Sequence, residues 1–392
     1  MPDRAPFQHP SQIEPHLPPM TVRLTELATE VVRASAQLGG GLHPLTQQSI
    51  ASILYNMNSY YSNLIEGHQT RPRDIERALQ NRLSKDQGVR TLQLEARAHI
   101  EVHKAMERRL HSEPELKISG SEFLRWLHRE FYSRMQPDAG ERASLHSPAN
   151  VAGSFREQDV EVGLHIPPRW ESLPAFMQRF EEVYSLENFA NIERIIAAAA
   201  AHHRLTWIHP FIDGNGRVTR LFTQAYLIRC GVSGHGLWTI SRGLARHRDR
   251  YFALLQSADV PRQGDYDGRG NLSERALSSF CEAFLEIALD QITFMRDSLR
   301  LDNLGAATKR YVAERRLHPR SERLLTTLLF QGSLSRGDAG ELLGFRPVRA
   351  RHYLKQMLVD GVLRSSSPKG PLQLNFPTHV AEVLFPRLFP AE

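Results

Sequence analysis

The residues most able to do chemistry together lie in one stretch, IHPFIDGNGRVTR, between two apolar segments of helical periodicity. Gly214, Asn215 and Gly216 all tolerate left-handed or strained backbone angles, so several N–H groups can converge on one anion just before a helix starts. Arg217 and Arg220 are three residues apart in the first turn of that helix. There the macrodipole and their mutual repulsion disfavour two cations unless an anion sits with them. Asp213 conflicts with a bound phosphate unless a divalent cation bridges the two, which points to Mg²⁺. His209 comes four residues before Asp213, and Pro210 fixes the turn after it, so the imidazole is placed to take a proton from an attacking hydroxyl.

Two plainer accounts compete. A polar loop capping a helix, with His209 as a core histidine, explains any one of these residues but not the combination. A metal site built from His202, His203, His209 and Asp213 is disfavoured because adjacent residues 202 and 203 point to different faces of a helix.

The surrounding elements read as mostly helical. In TQQSIASILYNMNSYYSNLIEG, Ile50, Ile53, Leu54, Met57, Tyr61, Leu64 and Ile65 recur at three- and four-residue spacing, with Gly67 at a C′ position. This predicts a helix over 46–66 that ends on Glu66, where the macrodipole disfavours a carboxylate and asks for a cationic partner. Further helical periodicity runs through 92–110, 121–135, 170–184, 189–205, 218–230, 246–257 and 272–301. Asn150 to His165, with Gly153, Val160, Val162 and Gly163, reads as a short hairpin, the one interruption of the helical body.

Residues 1 to about 40 form a Pro-rich, then amphipathic arm that ends in Gly39-Gly40-Gly41. The chain changes character at Gly305, and from Ser321 it reads helix, helix, helix and hairpin, a winged-helix pattern. Its third helix carries Arg346, Arg349, Arg351, His352 and Lys355, with Lys369 in the wing; this face suits DNA phosphates or a docking protein. The division expected is 1–115 (helical region with the helix of 46–67), 116–304 (catalytic core) and 305–392 (winged-helix domain).

Composition sets the class. A chain of 392 residues, 41% hydrophobic and 23% charged, is long enough for two or three domains. Only Cys230 and Cys281 are present, which excludes a disulfide framework or a cysteine-based zinc site and fits a reducing cytoplasm. The N-terminus has no apolar h-region, and the most apolar run, Ile195 to Ala201, is too short to span a bilayer, so no membrane association is expected. A formal charge of +6, carried mostly by arginine, suggests anionic partners.

HPFIDGNGRVTR matches, position for position, the HPFx[D/E]GNGRxxR signature of Fic-domain proteins, and over roughly residues 45–305 the chain resembles that family. The resemblance implies a Fic-type helical bundle with a β-hairpin flap and transfer of AMP from ATP to a Ser, Thr or Tyr hydroxyl of a protein, self-modification included. His209 would be the catalytic base, Asp213 the Mg²⁺ ligand, Gly214, Asn215 and Gly216 the phosphate cradle, and Arg217 and Arg220 the holders of the outer phosphates. Ser62-Asn63-Leu64-Ile65-Glu66-Gly67 matches the family's [S/T]xxxE[G/N] inhibitory motif, so Glu66 would pair with Arg220 and deny the γ-phosphate its seat. Gly153 to Gly163 resembles the flap on which a target segment adds as a strand. Tyr251-Phe252 falls where the family often places an aromatic pair near adenine, with stacking and core packing equally open. A homodimer is also consistent with the family. The alternative reading is a winged-helix DNA-binding regulator whose Fic core senses nucleotide; the intact His209 argues against it, because a sensor needs no base.

Overall fold

The computed structural model describes residues 7–135 and 152–389. The chain is mainly α. Five helices lead into the core region: α1 (Val22–Gln37), α2 (Pro44–Ile65), α3 (Pro72–Leu79), α4 (Gln87–Ser112) and α5 (Ser121–Arg134). Then come α6 (Leu173–Tyr184), α7 (Asn191–Ile208), α8 (Asn215–Arg229), α9 (Ile240–Arg246), α10 (Arg248–Ser257) and α11 (Glu274–Ser298).

Helix α7 is the axis of the bundle. Ile195 to Leu205 is buried on every side, and the five consecutive alanines 197–201 let α1, α6, α8 and α11 approach its backbone closely. Its C-terminus delivers His209, and after a five-residue turn α8 packs back against it. One tight helix–turn–helix therefore carries the whole of the HPFIDGNGRVTR stretch.

The C-terminal part continues through α12 (Leu301–Glu314), α13 (Ser321–Gln331), β1 (Ser333–Leu334), α14 (Arg336–Leu343), α15 (Pro347–Asp360), β2 (Leu363–Arg364), β3 (Leu372–Leu374) and α16 (Thr378–Leu384). The strands form an antiparallel sheet in the order β1-β3-β2, with Leu334 opposite Leu372 and Leu363 opposite Leu374. This sheet and α13 lie against α2. Thr46 Oγ1 donates to Leu328 O at 3.2 Å, Ser49 Oγ to Leu374 O at 3.1 Å, and Tyr61 OH to Leu388 O at 2.9 Å. The buried hydrophobics accordingly join in one cluster that runs from Ile13 to Leu388.

Three features differ from the pattern read in the sequence. Gly305 marks no break: it lies inside α12, which repays the glycine by burying Leu304, Ala307, Tyr311 and Val312. The segment 246–257 is divided at His247 into α9 and α10. The hairpin is reduced to a single antiparallel bridge between Val162 and His165, and its expected start at Asn150 lies outside the described residues. Among the described residues, no helix is long and apolar enough to cross a membrane.

Candidate active site

Helix α7 ends on His209 in the left-handed region (φ +51), an uncommon conformation for a residue with a side chain. Two contacts hold it there. Its N–H donates to Leu205 O at 3.2 Å, and its carbonyl accepts from Arg156 Nε at 2.9 Å. Arg156 is 2% exposed; it also donates to the carbonyls of Gln158 and Pro168, while its own N–H donates to Pro210 O at 2.9 Å. The flap is thus riveted to the His209 turn by a residue that the motif does not contain. Burial pulls the His209 imidazole down to about 4, assisted by the cationic surroundings of His165 and Arg156 and opposed by a hydrogen bond to the Thr206 backbone and by Glu66. The ring is neutral near pH 7, the state a base requires.

The turn after Pro210 is closed by Asn215. Its Oδ1 accepts from Phe211 N at 2.9 Å and its Nδ2 donates to Phe211 O at 2.8 Å, so the side chain staples the loop and only the backbone remains to meet a ligand. Gly214, with φ +77, is the N-cap of α8, and no side chain among the described residues caps this end. The first N–H groups of α8 are therefore open to an anion. Gly214 also has no room for a side chain, because a Cβ there would lie 2.6 Å from the Tyr132 hydroxyl.

Asp213, half exposed, accepts from Tyr132 OH at 2.7 Å through Oδ2 and from Gly214 N at 2.7 Å through Oδ1. One accessible carboxylate beside an anion nest fits Mg²⁺, which takes one or two protein oxygens and completes its shell with phosphate and water. His128 backs this corner: it stacks on Phe211 at 4.1 Å, its Nδ1 accepts from Gly153 N at 2.8 Å, and its Nε2 lies 3.2 Å from Asp213 O.

Helix α2 ends over the nest. Gly67 N donates to Leu64 O and His68 N to Asn63 O, which is the Schellman closure, and Gly67 has φ +87. This closure aims the Glu66 side chain at α8. Glu66 Oε1 accepts from Arg220 Nη2 at 2.5 Å, and Arg220 also donates from Nε to Ser62 Oγ at 2.9 Å and from Nη2 to Ser62 O at 3.0 Å. A Cβ on Gly216 would run into that carboxylate, so Glu66 lies on the bare face of the glycine nest. Burial raises the Glu66 carboxyl, but Arg220 first, then Arg217 and His68, pull it below its ordinary range. Arg248 Nε adds a cap by donating to Ile65 O at 2.9 Å.

Arg217 does not share Glu66 as its hydrogen-bond partner. Its Nη1 pairs with Glu95 of α4, which is 3% exposed and accepts from His68 Nδ1 at 2.7 Å through its other oxygen. Nothing in the sequence pattern pointed to Glu95, His68, Tyr132 or His128, and Arg156 was read only as part of the Gly153 to Gly163 flap. They come from other helices and from the flap, and only the packing brings them in.

Tyr251 is 3% exposed and its hydroxyl lies 2.8 Å from His202 Nε2, so the structure gives it to the core; Phe252 beside it is 40% exposed. His202 and His203 diverge as their adjacency requires, His202 to Thr223 and Tyr251, His203 to Leu255 O and Asp259.

Residues 117–227 match the Fic/DOC family model. The protein adenylyltransferase Fic of Drosophila erecta is 40% identical over 105 residues, which is 27% of this chain and 19% of that protein. Its counterpart from Drosophila willistoni is 39% identical over the same length. The match therefore spans about a fifth of the curated relatives. Among solved structures, a Fic family protein from Desulfovibrio desulfuricans G20 aligns with a TM-score of 0.53 at 17% identity, over 91% of this chain and 97% of that one. A Fic domain containing signaling protein from Bacteroides thetaiotaomicron VPI-5482 gives 0.51 at 19% identity, over 70% and 95%. These two share the fold. With the signature stretch seated at the α7–α8 turn of that fold, residues 117–227 are a domain of the Fic/DOC family.

Proposed function

We propose that this protein transfers AMP from ATP to a hydroxyl side chain of a protein and that Glu66 holds the activity off. The observation that carries the reading is the placement of the Glu66 carboxylate on Gly216 and Arg220, at the helix N-terminus built to receive phosphate.

With Glu66 withdrawn, the N–H groups at the start of α8 and the guanidinium groups of Arg217 and Arg220 bind the triphosphate and orient its α-phosphorus. Asp213 would hold Mg²⁺, which would supply charge neutralisation to the polyphosphate. His209 accepts the proton of a Ser, Thr or Tyr hydroxyl as that oxygen forms its bond to the α-phosphorus, and the bond to pyrophosphate breaks. Exposed Val162 and Leu164 offer the flap edge to the target backbone, and Arg156 ties that edge to the His209 turn.

Two observations support a docking role for the C-terminal part, which we read as a winged helix. It has the three helices and the β1-β3-β2 sheet of such a unit, and Arg346 at the N-cap of α15 is exposed together with Arg351, His352 and Lys355 on the helix. The same face keeps DNA as a second reading for this unit, tested by salt-dependent binding of duplex DNA.

The primary test is incubation of the wild type, Glu66→Gly and His209→Ala with Mg²⁺ and ATP labelled in its α-phosphate. Label on protein should rise in Glu66→Gly and vanish in His209→Ala. No label in any variant, with nucleotide binding intact, would sink the transferase reading.

A further inference from the structure

We propose that Glu95 positions Arg217 for the polyphosphate and is thus the functional opposite of Glu66, although both are glutamates paired with an arginine of α8. The inference rests on the nucleotide-binding part of the function proposed above.

The two arginines are held from different sides. An arginine grips an oxyanion best through the parallel N–H bonds of its Nε and Nη2. On Arg220 this edge is spent on α2: Nε goes to Ser62 Oγ, and Nη2 to Ser62 O and Glu66 Oε1. While α2 is seated, Arg220 has no fork left to offer.

On Arg217 the same edge is open. Glu95 takes Nη1, the far corner of the guanidinium. Nε is buried and finds no hydrogen-bond partner among the described residues. Nη2 has Asp213 Oδ2 at 3.7 Å, beyond hydrogen-bond reach. The guanidinium is also laid over the Phe131 ring at 5.0 Å, which fixes its plane. A buried, unpartnered Nε beside an uncapped helix N-terminus is a donor made ready for a ligand, because leaving it unpaired has a cost that a phosphate oxygen removes.

Glu95 is itself oriented. His68 Nδ1 donates to its second oxygen at 2.7 Å, so both carboxylate oxygens are engaged and the pair cannot rotate freely. Glu95 and Arg217 have only 4% and 7% of their side chains exposed, whereas Glu66 retains 32%. The exposed carboxylate is the removable one, and the buried one is a fixture. Glu95 stands on α4 and needs no movement of α2 to keep its hold.

The test is calorimetric titration of Mg·ATP into Glu66→Gly, with Glu95→Gln, Arg217→Lys and both together added in that background. Glu95→Gln should weaken binding by about tenfold or more, the usual reach of a residue that orients a ligand-holding group. The double substitution should bind no more weakly than Arg217→Lys alone, because Glu95 acts through Arg217. Multiplicative losses would assign Glu95 a general structural role and overturn the proposal. Unchanged or tighter binding on Glu95→Gln would overturn it too, the latter making Glu95 a second brake. If Glu95→Gln fails to fold, Glu95→Asp, which keeps the charge but draws it back from Nη1, should show the same weakening. Absence of binding by the Glu66→Gly parent itself would remove the nucleotide reading, and this inference with it.

Discussion

Arg156 Nε donates to the carbonyl of His209 at 2.9 Å, and its guanidinium, which has no exposed side-chain surface, spans from the flap to the turn after α7. The side chain serves three carbonyls, those of His209, Gln158 and Pro168, and removing it strands them in a buried setting. Arg156→Ala should therefore destabilise the chain by about 2–4 kcal/mol and lower transfer in a Glu66→Gly background, because the αL turn at His209 loses its brace. Arg156→Lys should not restore either, since an ammonium lacks the planar fan of donors. Chemical denaturation and label transfer on the same samples check both; wild-type transfer by Arg156→Ala would show that the brace is not needed.

The contact between Glu66 and Arg220 predicts opposite signs for its two partners. Glu66→Gly should raise transfer by about tenfold or more, since a charge-assisted bond competes directly with an arginine–phosphate bond. Arg220→Ala should abolish transfer even though it too breaks the contact, because the phosphate loses its holder. Gly216→Ala should fall on the Arg220 side: its Cβ would intrude on the ground that both the Glu66 carboxylate and a phosphate need. If Gly216→Ala were as active as Glu66→Gly, the shared seat would be wrong.

The sequence was legible where chemistry is local. The stretch from His209 to Arg220 lies within one helix–turn–helix, so residue types and spacing were enough to place the glycine turn, the imidazole, the Asp213 carboxylate and the two arginines side by side. Glu66 was singled out less by its unfavourable place at a helix C-terminus than by the match of Ser62 to Gly67 to the family motif. Glu95 and Tyr132 were not, because Glu95 sits mid-helix in α4 and Tyr132 in the last turn of α5, where an acidic residue or a tyrosine reads as ordinary helix surface or core. Gly305 misled for the complementary reason: a glycine costs a helix about 1 kcal/mol, and the apolar face of α12 outweighs that. The flap was overread, since alternating Val160 and Val162 suggested paired strands where the chain is held mostly by Arg156 and His128.

The pH dependence follows from His209. Its imidazole, lowered by burial to about 4, is neutral throughout the range where an exposed histidine titrates. In Glu66→Gly, kcat/KM for transfer should stay level as pH falls from 8 to about 5 and then decline with a one-proton slope near 4. The linkage has a matching sign. A depressed histidine contributes stability that is present above its unfolded value of 6.5 and lost as pH falls toward about 4. Glu66 adds to this further down, since its lowered carboxyl stabilises the fold above its unfolded value of 4.5 and loses that contribution as pH falls through the folded one. An acid limb centred near 6.5 in the rate profile would contradict the buried, neutral His209.

Tyr132 supplies the last prediction, about the metal. Its hydroxyl donates to Asp213 Oδ2 at 2.7 Å while its ring lies against Gly214, so it orients the carboxylate and occupies the space a side chain at 214 would need. Tyr132→Phe keeps the ring and removes only the donor. Such outer hydrogen bonds are typically worth about 10–100-fold in metal affinity or activity, so the Mg²⁺ concentration that half-saturates transfer should rise by roughly that range in a Glu66→Gly background. Nucleotide binding measured without metal should change little, because the nest and both arginines are untouched. That contrast separates a metal-orienting hydroxyl from a merely structural one. An equal loss with and without Mg²⁺ would mean that Tyr132 supports the nest itself, and Asp213 would then need another partner to hold its oxygen toward the cation.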